Sequence, residues 1–284
     1  MEEAIRKADV LIEALPYIKQ FHKKTVVIKY GGSILGEDRI RHNVLEDIVF
    51  LSFIGIKVIL VHGGGPNISE RMRIKGKKTE FIEGMRVTDE ETLGVVQEEL
   101  DKLNTLLVKE IFELGGRVEG LSGKEKQLIQ VKKKKSKIDL GLVGEIVNIN
   151  KDFLLDKLKR NEILVICPMG MSLDDKVYNV NADEVASWIS TTLEAEKIVL
   201  LTNVRGIMRN PDDPNSFLSS ITAEEAGRLI QDKVIQEGMI PKVEACIGAI
   251  DKGVKKAHII DARIPHALLL EIFTDSGIGT EIVK

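Results

Sequence analysis

Short runs of branched aliphatic residues recur along this sequence, and longer segments with helical periodicity separate them. The runs predict strands at 25–29, 57–61, 162–167, 197–202 and 256–260. A strand with one face in water would alternate apolar and polar residues, so these nearly continuous runs indicate burial on both faces. Helices packed on both sides of a mainly parallel sheet provide that burial. The sequence therefore predicts an α/β fold.

Amphipathic periodicity predicts a helix between most of these strands. The first helix, at 9–21, contains Pro16, which predicts a kink because proline cannot donate the helical hydrogen bond. Capping boxes that start at Thr88 and Thr222 mark the beginnings of two other helices. Segments 127–131 and 142–148 predict strands of a hairpin. The remaining helices are expected at 39–53, 66–74, 151–160, 182–193, 242–252 and 264–273.

Length and charge limit the classes of function. The chain has 284 residues, enough for one large or two modest domains, and its net charge is −3. No global basic field is present, so we expect no nucleic-acid partner, and the four lysines at 132–135 are interpreted as a solvated hairpin tip. No apolar run approaches about 18 residues, and the N-terminus does not resemble a signal peptide. Two separated cysteines, Cys167 and Cys246, suit free thiols, so a cytoplasmic protein without membrane contact is expected.

Several common motifs are absent from the sequence. Around Gly123-Lys124, a Walker loop would require glycine at the position of Val118 and serine or threonine at that of Glu125. No G-x-G-x-x-G sequence occurs, and no His or Cys spacing is typical of a metal site. The sequence therefore favours neither a P-loop enzyme nor a Rossmann dinucleotide site, and no protein metal ligand is predicted.

Two glycine turns share one pattern, in which an apolar strand leads to a polar residue, a glycine cluster and a helix. They read K-Y-G-G-S at 29–33 and H-G-G-G-P-N at 62–67. Glycine lets a ligand approach the backbone N–H groups, and the helix that follows directs its positive dipole end to the same place. One such turn is as well explained by a tight loop as by a site. Two turns on adjacent strands, one carrying Lys29, favour an anionic ligand at the carboxyl edge of the sheet.

Three further charged residues lie near predicted helix N-termini. Arg86 precedes one helix, and taken alone it is better explained as a surface ion pair. Asp183 ends Y-N-V-N-A-D at a strand-to-helix junction, where an ordinary cap is the simpler interpretation. Lys242 lies in the first turn of a helix, where a lysine opposes the helix dipole. A bound phosphate would remove that conflict.

Taken together, the motifs resemble those of the N-acetyl-L-glutamate kinases, which are members of the amino acid kinase family. The resemblance runs the whole length and rests on KYGG, VHGGGP, MRVTD, LGLVGE, NVNAD, GMIPKV and IPHALLLEIFTDSGIGT in the family's order. It implies a three-layer αβα sandwich with an N-terminal helix at 1–20, an acetylglutamate-binding lobe at 21–191 and a nucleotide-binding lobe at 192–284. It also implies ATP-dependent phosphorylation of the γ-carboxylate of N-acetyl-L-glutamate, the second step of arginine biosynthesis.

The resemblance assigns roles to residues on the acceptor side. Lys29 and Lys242 match the lysines that stabilise the transferring phosphoryl group, and Asp183 matches the acid that holds both of them. For the acceptor itself, the expected ligands are the N–H groups of Gly64 and Gly65 at the reacting carboxylate, Arg86 at the α-carboxylate, and Asn179.

The nucleotide is expected to be ATP with Mg²⁺, the metal being held mainly by phosphate oxygens. The turn at Gly31 and Gly32 would face the phosphates, and Thr202, Asn203 and Gly206 would lie at the nucleotide. The chain departs from the family pattern at two positions. Asn203 stands where the family usually has Asp, and Glu237 stands where it usually has Gly.

The N-terminal helix resembles the extension of arginine-inhibited, hexameric members of the family. It implies a homo-oligomer, a dimer or a trimer of dimers, although by itself an amphipathic helix is more often packed on its own core. The matching effector residues for L-arginine are Tyr17, Lys197, Glu271 and Gly277. A lysine for the effector carboxylate and a glutamate for its guanidinium are chemically suitable.

Two other functions remain open at this point. The chain could be another amino acid kinase, acting on carbamate, aspartate, glutamate or uridylate, although Arg86 and the N-V-N-A-D motif argue against it. It could also be a weakly active or inactive arginine-binding regulatory protein. Asn203 and Glu237 support that alternative, and the presence of Lys29, Asp183 and Lys242 opposes it.

Overall fold

Most helices lie close to the predicted intervals in the computed structural model, which describes residues 1–82, 84–160, 162–210, 213–274 and 277–284. The side chains of Lys7, Ser33, Pro214 and Glu237 lie outside that description, and so does any effect of the Glu237 side chain. The α-helices of the described residues are α1 (Glu2–Phe21), α2 (Gly32–Leu35), α3 (Asp38–Phe53), α4 (Gly65–Ile74), α5 (Glu90–Glu113), α6 (Lys151–Leu158), α7 (Ala182–Thr192), α8 (Ala223–Gln231), α9 (Ile240–Asp251) and α10 (Ala267–Ile272).

The strands are more numerous than predicted, because several strands of two or three residues carry no clear sequence signal. They are β1 (Thr25–Tyr30), β2 (Lys57–His62), β3 (Phe81–Ile82), β4 (Met85–Arg86), β5 (Val118–Ser122), β6 (Ile129–Lys133), β7 (Gly144–Ile149), β8 (Ile163–Cys167), β9 (Met169–Met171), β10 (Val177–Asn179), β11 (Lys197–Thr202), β12 (Ile207–Met208), β13 (Phe217–Leu218), β14 (Ser220–Thr222), β15 (Lys256–Asp261) and β16 (Thr280–Val283).

All five predicted aliphatic strands lie in one eight-stranded sheet. Its order is β14–β16–β15–β11–β1–β2–β8–β5, so β1 is near the centre between β2 and β11. Strands β15, β11, β1, β2, β8 and β5 are mutually parallel, and β16 runs antiparallel to β15. The parallel strands therefore end at one edge, and the two glycine turns follow neighbouring strands there.

Helices cover both faces of this sheet. On β1, Val27 belongs to an apolar core that includes side chains of α6, α7, α8 and α9. The next residue, Ile28, belongs to a core on the opposite face with side chains of α2, α3, α5 and α10. Both residues are completely buried. The predicted three-layer αβα sandwich is confirmed, and burial of both faces explains why the strands read as continuous apolar runs.

The predicted hairpin exists, but it lies outside the main sheet. Strands β6 and β7 are antiparallel and form a second, four-stranded sheet in the order β10–β9–β6–β7. Lys132 and Lys133 lie in β6 rather than at the turn, and they form ion pairs with Glu145 and Asp139. The predicted position of these lysines at the hairpin tip was therefore wrong for two of the four.

Several predicted helix boundaries need correction. Helix α1 begins at Glu2 rather than at residue 9 and continues through Pro16, where the kink stays a prediction. Asp89, not Thr88, caps α5, because its carboxylate accepts the Thr92 N–H at 2.8 Å. Thr222 caps α8 as predicted.

The two cysteines and the apolarity of the helices can also be compared with the expectations. Cys167 and Cys246 are both buried and free, as predicted. Within the described part of the chain, no helix is both long enough and apolar enough to cross a bilayer.

Candidate active site

The two glycine turns meet at the carboxyl edge of the sheet. β1 and β2 are parallel neighbours, with Tyr30 in register with His62, so the turns that follow lie side by side. A Cβ atom on Gly32 would lie only 2.9 Å from the Gly65 nitrogen, a distance that leaves no room for any side chain. Only glycine at position 32 therefore allows the two turns to approach each other this closely.

The turns differ in the N–H groups they leave for a ligand. Gly31 donates its N–H to the Leu201 carbonyl at 3.2 Å, so this group is already used within the sheet edge. Gly65 begins α4, where the first N–H groups have no intrahelical acceptor. Of the predicted glycines, Gly32, Gly64 and Gly65 line a cavity of about 230 Å³ beside the turns.

Asp183 binds two lysines from distant parts of the chain. Its Oδ1 lies 2.9 Å from Nζ of Lys29 in an ion pair, and its Oδ2 accepts a hydrogen bond from Nζ of Lys242 at 3.1 Å. Lys29 comes from central strand β1, and Lys242 comes from the first turn of α9. Asn181 caps α7 by accepting the Asp183 N–H at 2.8 Å, which fixes the backbone of Asp183. The structure thus brings together all three predicted catalytic residues.

Burial and charge act in opposite directions on this cluster. Burial lowers the pKa of Lys29, and the charge of Asp183 offsets part of that effect. Burial alone would raise the pKa of Asp183, but the positive charges of Lys29 and Lys242 outweigh it and keep that pKa below its usual value. One carboxylate faces two ammonium groups, so the cluster has an excess of positive charge. Such a cluster suits an anionic ligand.

Arg86 lies in the same cavity and is held by neutral partners. Its Nη2 donates to the Gly65 carbonyl at 2.9 Å and to the Ser69 hydroxyl at 2.8 Å, and Phe81 lies 4.7 Å below the guanidinium. Burial lowers its pKa to about 10, so it stays charged at neutral pH. The described residues include no carboxylate that forms an ion pair with Arg86, and an acidic ligand would provide one.

Asn179 completes the polar lining of the cavity. It ends β10, and its Nδ2 donates to the Thr88 hydroxyl at 3.3 Å. The carbonyl oxygen of its amide is left for another donor. The cavity therefore contains seven of the predicted residues, namely Lys29, Gly32, Gly64, Gly65, Arg86, Asn179 and Asp183.

A second cavity, of about 480 Å³, lies beside the loop after β11. Of the predicted nucleotide residues, only Gly206 lines it. The Thr202 hydroxyl is used in the turn, where it donates to the Val204 carbonyl and accepts the Val204 N–H. Asn203 is exposed and does not line the cavity. Apolar side chains that sequence reasoning missed form much of the wall, namely Met208, Val234, Ile235 and Met239.

A third cavity, of about 410 Å³, lies between α1 and the start of β11 and contains two of the predicted effector residues, Tyr17 and Lys197. Lys197 is buried, and its ammonium lies 5.2 Å from the centre of the Phe21 ring. Burial lowers its pKa, which the charge of Glu271 only partly offsets. Among the described residues, no carboxylate forms an ion pair with Lys197.

The other two predicted effector residues lie together, behind this cavity. Glu271 is buried, lies with Oε1 2.5 Å from Nδ1 of His258, and accepts the N–H groups of Ile278 and Gly279. Gly277 has a φ of +59° next to this carboxylate. The Glu271 oxygens therefore already have partners inside the chain.

Comparison with known proteins identifies the family of the chain. The model of the amino acid kinase family matches residues 24–261. The acetylglutamate kinase of Halothermothrix orenii is 47% identical over 288 residues, covering 100% of this chain and 99% of the relative. That of Thermoanaerobacter pseudethanolicus is 48% identical, covering 99% and 95%. This chain belongs to the amino acid kinase family. With such relatives over its whole length, it is a phosphotransferase.

Solved structures of similar fold include an N-acetylglutamate synthase. N-acetylglutamate synthase from Neisseria gonorrhoeae, complexed with coenzyme A and N-acetyl-glutamate, superposes with a TM-score of 0.88 at 26% identity. The match covers 98% of this amino acid kinase but only 63% of the synthase chain. The same synthase complexed with coenzyme A and L-arginine gives a TM-score of 0.84.

Sequence reasoning missed several residues that shape the site of this amino acid kinase. Ser69 and Phe81 fix the Arg86 guanidinium, and a serine one turn into a helix carries no distinctive signal. Asn181, the cap of α7, could have been found from the N-A-D sequence that places an Asx side chain before a helix. Throughout the described ranges, no group of three or more His, Cys, Asp or Glu side chains is arranged to hold a metal ion.

Proposed function

We propose that the enzyme transfers the γ-phosphoryl group of ATP to the γ-carboxylate of N-acetyl-L-glutamate, giving an acyl phosphate and ADP. The observation that carries this proposal is the contact of Lys29 and Lys242 with the single carboxylate of Asp183, next to a cavity that contains Arg86. Phosphoryl transfer needs alignment of two anionic reactants and positive charge around the transferring group, and this cluster supplies both.

The acceptor cavity suits a small dicarboxylic amino-acid derivative. Arg86, buried without a described acidic partner, would bind the α-carboxylate through the guanidinium N–H groups that Gly65 and Ser69 do not use. The amide oxygen of Asn179 would accept the N–H of the acetamido group. The N–H groups of Gly64 and Gly65 would bind the γ-carboxylate at the other end of the cavity. The one carboxylate among the described residues that line this cavity, that of Asp183, is already paired with Lys29 and Lys242, so a free α-amino group would lack an acidic partner, which favours the acetylated substrate.

The reaction requires no general base in this arrangement. A carboxylate is already ionised at neutral pH, so its oxygen attacks the γ-phosphorus directly while the bond to the bridging oxygen of ADP breaks. Lys29 and Lys242 would contact the oxygens of the transferring group from two sides. Asp183 would keep the two ammonium groups together despite their mutual repulsion. Mg²⁺ would arrive with ATP as part of the substrate.

The nucleotide would occupy the second cavity, with Gly206 at its wall. Met208, Ile235 and Met239 offer apolar surface for a planar base. The cavity adjoins the 3₁₀ turn at Glu237–Met239, which leads directly into α9 and Lys242. The phosphates would then extend from this wall toward Lys242 and Gly32. The two lobes would divide at 191 and 192, one for each substrate.

L-arginine is the proposed inhibitor, bound in the third cavity. The buried Lys197 ammonium would bind the effector carboxylate, and the Tyr17 ring would cover its chain. Because Glu271 already accepts hydrogen bonds from Ile278 and Gly279, binding of a guanidinium would require this segment to rearrange. The N. gonorrhoeae synthase was itself solved with L-arginine, which supports testing this ligand first.

The N-terminal helix is the proposed oligomerisation element of a cytoplasmic trimer of dimers. Leu11 and Ile12 are each 68% exposed, and Leu15 is 40% exposed, so much of the helix's apolar surface has no partner among the described residues. Burial of that surface against a second copy would remove apolar area from water.

The test of this function is an assay of ADP release with a panel of acceptors. N-acetyl-L-glutamate should be the best acceptor, and carbamate, L-aspartate, L-glutamate and UMP should give little product. Hydroxylamine trapping should detect the acyl phosphate. Preference for another acceptor would assign the enzyme to a different amino acid kinase activity. If the protein binds L-arginine but phosphorylates none of the acceptors, even without L-arginine, the result would support a regulatory protein.

A further inference from the structure

His62 occupies an unusual position between β2 and the glycine turn that follows it. Its side chain is 0% exposed, although it is a titratable group next to the cavity. Its Nε2 lies 3.2 Å from Nδ2 of Asn104, and its Nδ1 lies 3.1 Å from the carbonyl oxygen of Gly63. None of the roles described above uses His62 or Asn104.

These two contacts determine which ring nitrogen carries the proton. The Asn104 amide group donates one hydrogen to the Val165 carbonyl at 3.0 Å and the other to His62. His62 Nε2 must therefore accept, and the proton resides on Nδ1, which donates to Gly63. Burial lowers the pKa of His62 to about 4, so the ring is neutral at physiological pH.

Asn104 is held in place by a hydrogen bond to the sheet, and its amide fits because the facing residue, Gly120, has no side chain. It lies on α5, and its acceptor Val165 lies on β8, two strands away from β1. A Cβ atom on Gly120 of β5 would lie 2.3 Å from Oδ1 of Asn104, so only glycine leaves the amide its position. Three elements thus fix the orientation of one histidine.

We propose that His62 and Asn104 are positioning residues that set the direction of the Gly64 N–H. The Gly63 carbonyl and the Gly64 N–H belong to the same planar, trans peptide group and point in opposite directions. Because His62 Nδ1–H holds the carbonyl, it fixes the N–H that faces the cavity. Without that bond, a peptide between two glycines rotates with little steric resistance. This inference rests on the proposed function, in which the Gly64 N–H binds the reacting carboxylate.

Two substitutions separate the two hydrogen bonds of His62. In His62→Asn, the side-chain Nδ2 takes the place of Nδ1 and still donates to Gly63. In His62→Gln, the side-chain oxygen replaces Nε2 as acceptor for Asn104, but the bond to Gly63 is lost. His62→Gln should lower kcat/KM for N-acetyl-L-glutamate by about 10- to 100-fold, because small misplacements of reacting groups have effects of that size. The KM for ATP should stay within roughly twofold, and His62→Asn should recover most of the activity.

Further variants test the chain of contacts from outside the turn. Asn104→Leu and Gly120→Ala should shift kcat/KM for the acceptor in the same direction as His62→Gln. Thr105→Ala, an exposed neighbour of Asn104 on α5, is the matched control and should leave the kinetics unchanged. Nitrogen-15 NMR of the wild-type imidazoles, which needs no turnover, should show the His62 ring protonated only at Nδ1, with its signals identified by their absence from the spectrum of His62→Asn.

The outcomes distinguish this inference from the proposed function. Wild-type kinetics in both His62→Gln and Asn104→Leu would overturn it. It would also be overturned if His62→Asn and His62→Gln both had a reduced melting temperature and both lost kcat/KM equally for the acceptor and for ATP. A His62 ring protonated at Nε2 in the wild type, its signals identified by their absence from His62→Asn, would also overturn it. If the wild-type enzyme does not phosphorylate N-acetyl-L-glutamate, the proposed function fails while the NMR result still tests the tautomer.

Discussion

Lys29 and Asp183 form an ion pair that is almost completely shielded from water, with Nζ 2.9 Å from Oδ1 and side chains that are 7% and 6% exposed. Lys29 lies next to the last residue of central strand β1, and Asp183 lies in the first turn of α7, more than 150 positions later in the chain. A buried pair of this kind is costly to form and contributes little net stability. Its position at the cavity supports the proposed role of the pair in phosphoryl transfer.

Removal of either lysine should reduce turnover while leaving the fold intact. Lys29→Ala and Lys242→Ala should each lower kcat by about 10²- to 10³-fold, because each removes a preorganised positive charge from the phosphoryl group. Far-ultraviolet circular dichroism and initial rates of ADP release measure the two effects. Lys151→Ala, in an exposed ion pair with Glu194, is the control and should match the wild type. Near-normal turnover in both site variants would refute the assignment.

Arg86 should determine recognition of the α-carboxylate. Arg86→Lys should raise the KM for N-acetyl-L-glutamate by about 10- to 100-fold, because a lysine lacks the planar guanidinium that can bind Gly65, Ser69 and the carboxylate at once. An analogue of the substrate with an amide in place of the α-carboxylate should be a poor acceptor for the wild type. Its kcat/KM should fall little further in Arg86→Lys. Steady-state kinetics with both acceptors provide the measurement, and Arg73→Lys in an exposed pair with Glu70 is the control. An equal loss for the amide would contradict the contact.

Asp47 should make stability depend on pH in the acidic range. Burial raises its pKa from 3.8 to about 6, although hydrogen bonds from His266 and the Leu268 N–H oppose the change. Asp47 therefore binds a proton more tightly in the folded state than in the unfolded state. The stability that this protonation contributes is fully present below about pH 4 and is lost as pH rises through about 6. Relative to Asp47→Asn, the wild type should lose up to about 3 kcal/mol of unfolding free energy over that range. Urea titrations of both proteins at several pH values measure the difference, and a constant difference would be inconsistent with this pKa.

Lys197 should control the response to L-arginine. Millimolar L-arginine should inhibit the wild type and raise its melting temperature by mass action. Lys197→Met should abolish both effects, and it should not destabilise the free protein, because a buried ammonium without an ion-pair partner is unfavourable. Lys255→Met is the matched control, since Lys255 lines the same cavity but is exposed and paired with Glu196. An unchanged arginine response in Lys197→Met would place the effector elsewhere.

Helix α1 should determine the size of the oligomer. Leu11→Glu together with Leu15→Glu should convert a hexamer into dimers, because charged residues would replace the exposed apolar surface that joins the copies. Size-exclusion chromatography with light scattering gives the molar mass directly. Glu13→Gln, also exposed on α1, should leave the mass unchanged. A hexamer that persists in the double variant would show that other surfaces hold it together.

Much of the fold could be predicted because it depends on local pattern. Continuous aliphatic runs predicted the parallel sheet, and helical periodicity located most helices. The shorter elements were missed, since β9, β10 and β12 have too few residues for a periodic signal. Asp89 rather than Thr88 caps α5, because Thr88 instead donates its hydroxyl to the Arg86 carbonyl. Either residue type can cap a helix, so the choice depends on contacts beyond the local sequence.

The sequence by itself determined which residue types precede each turn and helix, and its resemblance to the N-acetyl-L-glutamate kinases grouped Lys29, Asp183 and Lys242 into one expected site. Only the tertiary structure decided which of their atoms meet. It also revealed that the Gly31 N–H is used by Leu201, that Thr202 bonds within its own turn, and that His62 and Asn104 hold the second glycine turn. The physical reason is that strand and helix formation follow from neighbours in sequence, whereas hydrogen-bond partners depend on which strands are adjacent in the sheet.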